Sequence, residues 1–145
     1  MNISARLINR QSEHQILLRT GELEHSLQIA PKSDGFGSRT NGGELLFLAL
    51  ATCYCNDLYR EAKRRGVGIK SVEVEVSGEF GSEGEPARSI NYCCSVEANA
   101  PKEQVLELMR YTDSVAEIQN TLRHSTAITL TNCDVRELPE NTPQR

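Results

Sequence analysis

The chain has 145 residues, 38% of them hydrophobic and 25% charged, a composition that suits one globular domain with a core of its own. Its net charge is -4 and no run of Lys and Arg exceeds the three of "KRR" at 63–65, which argues against nucleic acid or an anionic membrane surface as its main partner. The start "MNISARLINRQSEHQ" has no basic-then-apolar signal pattern, and the longest near-continuous apolar run, eleven residues from Leu45 to Cys55, is too short to cross a bilayer, so a cytoplasmic location is expected by elimination.

The first thirty residues read as strands. "SARLINR" and "HQILLRT" are apolar-rich segments broken by the polar "QSEH". "ELEHSLQIA" alternates Leu23, His25, Leu27 and Ile29 against Glu22, Glu24, Ser26 and Gln28, the period of a half-buried strand. "PKSDGFGSRTNGG" is a loop by its turn chemistry. A long helix follows, with Asn41 and Glu44 spaced as a capping box. Lys63, Arg64 and Arg65 suit its negative end, and Gly66 can adopt the left-handed conformation that stops it. Its first half is apolar all round and is expected to be buried on every side; "NDLYREAKRR" is expected to be solvated.

"SVEVEVSGEF" and "SINYCCSVEA" form a hairpin across the turn "GSEGEPAR". Ile90, Tyr92, Cys94, Val96 and Ala98 share one face, and Cys93 points the other way. Pro101 sits where a first helical residue belongs, ahead of "KEQVLELMRY". "SVAE" at 114–117 is a second capping box, opening a short helix to about Leu122, and "TAITLTN" is a last strand. The order βββ–α–ββ–αα–β describes an α+β domain over residues 1–145, with a long buried central helix and a tail frayed from about residue 138.

Five cysteines, an odd number without a secretion signal, read as free thiols rather than a disulfide framework. Cys53 and Cys55 diverge by about 200° on a helix, so they cannot share an ion. Neither C-x-x-C nor H-x-x-H spacing occurs; a metal site is not expected, since its ligands would have to come from distant segments. No nucleotide or hydrolase motif is present, so no cofactor is expected. His14, His25 and His124 are scattered and read as structural or solvated imidazoles.

Taken together, the strand-rich start, "NGGELLFLALATCYC" opening a long helix, the Val-Glu hairpin and "AITLT" near the end resemble the OsmC/Ohr family over nearly the whole chain. The most specific element is Asn41, Glu-Leu-Leu, a run of Ala and Leu, and Cys53 twelve positions after the Asn; "RRGVGIKSVEVEVSGEF" is similar to the family's exit from this helix. The resemblance implies an OsmC-like fold, an intertwined homodimer and active sites at the subunit interface. In the peroxidase branch one cysteine attacks the peroxide and becomes a sulfenic acid. A second, on a later helix, condenses with it. An arginine from the N-terminal region and a glutamate near the central helix's start support the thiolate, and an external dithiol restores the enzyme.

Cys53 takes the first of these positions. The second would fall at Ala116 to Ile118, where no cysteine occurs, and the family's glutamate aligns with Gly43, leaving Glu44 one place along. Arg10 and Arg19 are candidates for the arginine. Three readings follow. One is a one-cysteine thiol peroxidase with Cys53 and Glu44 as catalytic residues, resolved by an external thiol or by Cys94. Another is a dimeric binding protein whose interface pocket around Cys53, lined by Leu48 and Tyr54 and with Asn41 and Cys94 as further binding residues, holds a small apolar or thiol-reactive ligand without turnover. The third is a purely structural Cys53, since fold does not imply function.

Overall fold

A computed structural model describes residues 1–138. Two compact units divide the described residues: 1–42 with 130–138, and 43–129.

In the first unit, β1 (Ile3–Arg10), β2 (Glu13–Thr20) and β3 (Leu23–Ser26) form an antiparallel sheet in that order. Leu7 faces Ile16 and Leu17 faces Ser26 in register. β3 is shorter than its alternation suggests: its register with β2 ends at Ser26, with one further bond from the Leu27 amide to the Ile16 carbonyl at 3.2 Å. The glycine-rich loop is pinned rather than free: the Ser12 amide donates to the Gly35 carbonyl at 2.7 Å, and the Gly37 amide to Asn9 Oδ1 at 2.9 Å.

In the second unit, α1 (Gly42–Arg64) is followed by the hairpin of β4 (Gly68–Glu79) and β5 (Arg88–Asn99), then α2 (Lys102–Val115) and α3 (Glu117–Arg123). Gly66 ends α1 as expected. Its φ of 68° is left-handed, and the Val67 amide returns to the Ala62 carbonyl at 2.9 Å. The hairpin pairs Val74 with Cys94 and Val72 with Val96. That face packs on Tyr54, Leu58 and Ala62 of α1, with Leu108 of α2 completing the core. Gly78 lies where a Cβ would come within 2.8 Å of the Phe47 ring, so the Phe47–Phe80 ring pair (centroids 5.9 Å apart) depends on a bare backbone there.

Four expectations are corrected. The burial of α1 lies mainly in its second half: Tyr54, Asp57, Leu58, Glu61 and Ala62 are buried there, while in the apolar first half Leu50 is buried but Leu48 is 58% exposed. The reason is placement, since the hairpin and α2 cover the second half. Pro101 is the N-cap of α2, one residue before the first helical position. The "SVAE" box does not form. Ser114 lies inside α2 and donates to the Tyr111 carbonyl, and α3 starts after Ala116 without a side-chain cap. "TAITLTN" pairs with no strand among the described residues, and Ile128 and Leu130 are 99% and 82% exposed. An alternating segment becomes a strand only where a ladder receives it. The frayed tail expected from about 138 lies, beyond Leu138 itself, outside the described residues.

Candidate functional site around Cys53

Cys53 stands on the face of α1 that meets the start of α3. Asp57 is four residues on, about 40° round the helix and one turn up, so both side chains reach the same spot. The thiol Sγ lies 3.7 Å from Asp57 Oδ2 and 3.9 Å from Glu117 Oε2, the first residue of α3. Its single proton can serve one of these carboxylates at a time. Arg60 holds the far oxygens of the same pair, with Nη1 2.6 Å from Asp57 Oδ1 and 3.9 Å from Glu117 Oε1. Arg60 Nε and Arg64 Nη1 then close on the buried Glu61, at 3.2 and 2.7 Å. The second half of α1 therefore carries a run of alternating charges, Asp57, Arg60, Glu61 and Arg64, that begins one turn beyond the thiol.

The electrostatics follow from this placement. Burial raises the Cys53 pKa, and the carboxylates of Asp57 and Glu117 raise it further; the Ile118 amide, donating to the sulfur, acts the other way. Burial also raises Asp57, reinforced by the neighbouring Glu117 charge and offset in part by Arg60. Glu117 is lowered, first by its backbone amide at the start of α3 and then by Asp57. Of the two carboxyl groups, Asp57 is the readier to carry a proton. The site keeps Cys53 as a thiol beside a base, rather than as a preformed thiolate.

The residues expected from the sequence are dispersed. Glu44 is in the first turn of α1, nine residues before Cys53. That is about 13 Å along the axis and half a turn round, so it projects from the opposite side of the helix. Asn41 precedes α1 and is exposed. Leu48 is five residues before Cys53, about 140° away, and open to solvent. Tyr54 is 3% exposed and donates its hydroxyl to the Met109 carbonyl at 2.9 Å. Cys94 sits on β5 against the core with Tyr54, and burial and the nearby Cys55 push its thiol up to about 11. It shares the Cys55 side of α1, away from Cys53. Arg10 pairs with Glu13 at 3.8 Å and Arg19 with Glu22 at 3.4 Å.

Sequence reasoning missed Asp57, Arg60 and Glu117. The spacing Cys53–Asp57–Arg60 was a visible signal of one helix face. Glu117 occupies the stretch in which the family resemblance would put a second cysteine. One oxygen from each carboxylate and the Cys53 sulfur lie within 4.8 Å of one another, the one such group among the described residues. A thiolate and two carboxylates match the donor preferences of a borderline-soft divalent ion such as zinc, with Cys53 and Asp57 on one helix face and Glu117 brought in from 64 residues away. Arg60 already supplies positive charge there.

No described helix is long and apolar enough to cross a membrane. A sequence profile of the family described as OsmC-like protein matches residues 35–131, more than half of the chain. No curated protein matches it significantly. Among solved structures the chain is similar to an OsmC-like protein from Mycoplasma pneumoniae (20% identity, TM-score 0.57, covering 84% of this chain and 86% of that one). An organic hydroperoxide resistance protein from Legionella pneumophila matches at 16% identity and TM-score 0.54, over 85% and 90% of the two chains. The organic hydroperoxide resistance protein OhrB of Bacillus subtilis matches at 18% and 0.52, over 85% and 91%. At such identities these structures establish the fold alone. The profile match over the central helix, the hairpin and the two later helices, on an α+β fold of the same kind, places this chain in the OsmC family.

Proposed function

We propose that this protein is a slow, one-cysteine thiol peroxidase in which Cys53 reduces a hydroperoxide and an external thiol restores it. The observation that carries the reading is the contact of the Cys53 thiol with Asp57, a proton acceptor 3.7 Å away on the same helix face. Asp57 takes the thiol proton, and the sulfur attacks the outer peroxide oxygen. The O–O bond breaks, Cys53 becomes a sulfenic acid, and the proton goes on to the departing alkoxide to give the alcohol. One external thiol then displaces water to form a mixed disulfide, and a second releases Cys53 as a thiol with the external disulfide as product. The names of the Legionella and Bacillus proteins, which speak of hydroperoxide resistance, support this direction.

The charge pattern sets the pH dependence. Only the thiolate is a competent nucleophile, and the Cys53 pKa is raised. The rate of hydroperoxide reduction is therefore expected to climb with pH from neutrality through the alkaline range. Glu117 is 67% exposed in its side chain, so Glu117→Gln can remove a charge without opening the core. A unit charge about 4 Å away in a mostly aqueous setting is worth about 1 kcal/mol, so alkylation of Cys53 in E117Q at pH 7 should be roughly fivefold faster. A flat pH–rate profile, or an unchanged rate in E117Q, would count against a carboxylate-held thiol. The same raised pKa favours the second reading, a binding protein that does not turn over. In that case E117Q still labels faster, but no pH produces catalytic consumption of cumene hydroperoxide.

The functional form we propose is a homodimer. What supports it is apolar surface without cover: Leu7, Leu48, Ile128 and Leu130 are 56%, 58%, 99% and 82% exposed. The alternating segment around Ile128 also has no ladder among the described residues. An obligate interface of roughly 2,000 Å² or more would bury such surface. Sedimentation at micromolar concentration is expected to give twice the 16.1 kDa chain mass, and a monomer would overturn the proposal.

A further inference from the structure

A second cleft, separate from the Cys53 cluster, opens between β5 and α2, with a volume of about 400 Å³. Tyr92, Leu106 and Met109 give it an apolar wall, with Tyr54 and Cys94 at its base. The two tyrosine rings meet edge to face with centroids 5.0 Å apart.

The polar groups of this wall are already engaged, with one exception. The Tyr54 hydroxyl donates to the Met109 carbonyl at 2.9 Å, and the Tyr92 hydroxyl donates to Asp113. Asp113 in turn accepts from Arg123 Nη2 at 2.7 Å, and its carboxyl is held below the usual range by Tyr92 and Arg123. Arg110 also lines the cleft and makes no ion pair among the described residues. An incoming molecule meets aromatic and thioether surface with a single uncompensated cation.

We propose that this cleft binds a small aromatic carboxylate, its ring against Tyr92 and Met109 and its carboxylate on Arg110. The volume lies within the ~300–1,000 Å³ of small-molecule sites. Ring faces and edges suit the tyrosine pair, thioether sulfur is a good neighbour for an aromatic ring, and guanidinium is the side chain that best matches a carboxylate. A cationic ligand has no free acid to meet, because Asp113 is spent on Tyr92 and Arg123. A multiply charged phosphate has only one arginine to hold it. The site does not rest on the Cys53 reading: its residues lie on the Tyr54 side of α1, about 100° round the helix from Cys53.

The test is calorimetric titration of the full chain with 1-naphthoate and with its neutral counterpart 1-naphthalenemethanol, in wild type, R110Q and C53S. The naphthoate is expected to bind saturably and more tightly than the alcohol. A charge-assisted hydrogen bond lost at the rim should weaken naphthoate by ~10-fold in R110Q while leaving the alcohol unchanged. C53S should bind as wild type does, whatever becomes of its reaction with peroxide. Bound naphthoate should also slow alkylation of Cys94, which lines the cleft, and not of the exposed Cys133. Absence of saturable binding, an equal loss for both ligands in R110Q, no loss in either, or loss of binding in C53S would each overturn the proposal.

Discussion

Replacing Cys53 with serine is expected to abolish hydroperoxide reduction, while Cys94→Ser and Cys133→Ser leave it nearly unchanged. Cys53 is the thiol with carboxylates at 3.7 and 3.9 Å to take and return a proton. Cys94 is pushed up to about 11 and faces the core, and Cys93 and Cys133 are exposed. In wild type the sulfenic acid formed at Cys53 has Glu117 beside it instead of a second thiol. With excess cumene hydroperoxide and no reductant, Cys53 should therefore gain a second oxygen and become a sulfinic acid, visible as a mass shift on its peptide. Cys94→Ser should not alter that sensitivity, because Cys94 shares the Cys55 side of α1. A disulfide between Cys53 and Cys94 in oxidised wild type, or robust turnover in C53S, would sink this account.

Leu108→Ala should lower the stability of the fold by ~2–5 kcal/mol, the cost of emptying a buried leucine site. Leu108 is 0% exposed and joins α2 to Leu58 and the hairpin face. The neighbouring turn has little freedom to collapse into the void, since Thr112 Oγ1 donates to the Leu108 carbonyl at 2.8 Å. Leu122, 40% exposed on α3, provides the control, and its truncation should cost under ~1 kcal/mol. Denaturant unfolding at fixed protein concentration reads both. A Leu108→Ala midpoint within error of wild type would mean that the core lies elsewhere.

The local pattern of the sequence settled the elements whose stability is local. Period-two alternation placed β4 and β5 and chose their buried face, because a strand's side chains alternate whatever packs on them. Gly66 stopped α1 because only a residue free of a Cβ penalty takes a φ of 68° readily. The run from Asn41 to Cys53 carried the family likeness that the profile match bears out over residues 35–131. Other features depended on what lies far away in the chain. The "TAITLTN" alternation announces a strand but cannot supply its ladder, and the β3 pairing with β2 stops at Ser26 although its alternation continues to Ile29. Composition marked the first half of α1 as the buried one, but burial is decided by neighbours, and the hairpin and α2 cover the second half. The surroundings of Cys53 were half legible: Asp57 and Arg60 follow it at helical spacing, while Glu117 arrives across 64 residues of chain. No local pattern encodes that meeting, because it is fixed by how α3 docks on α1. That docking, with Gln119 Nε2 donating to the Leu50 carbonyl at 3.0 Å, determines whether the thiol meets a cation, a second cysteine or a carboxylate.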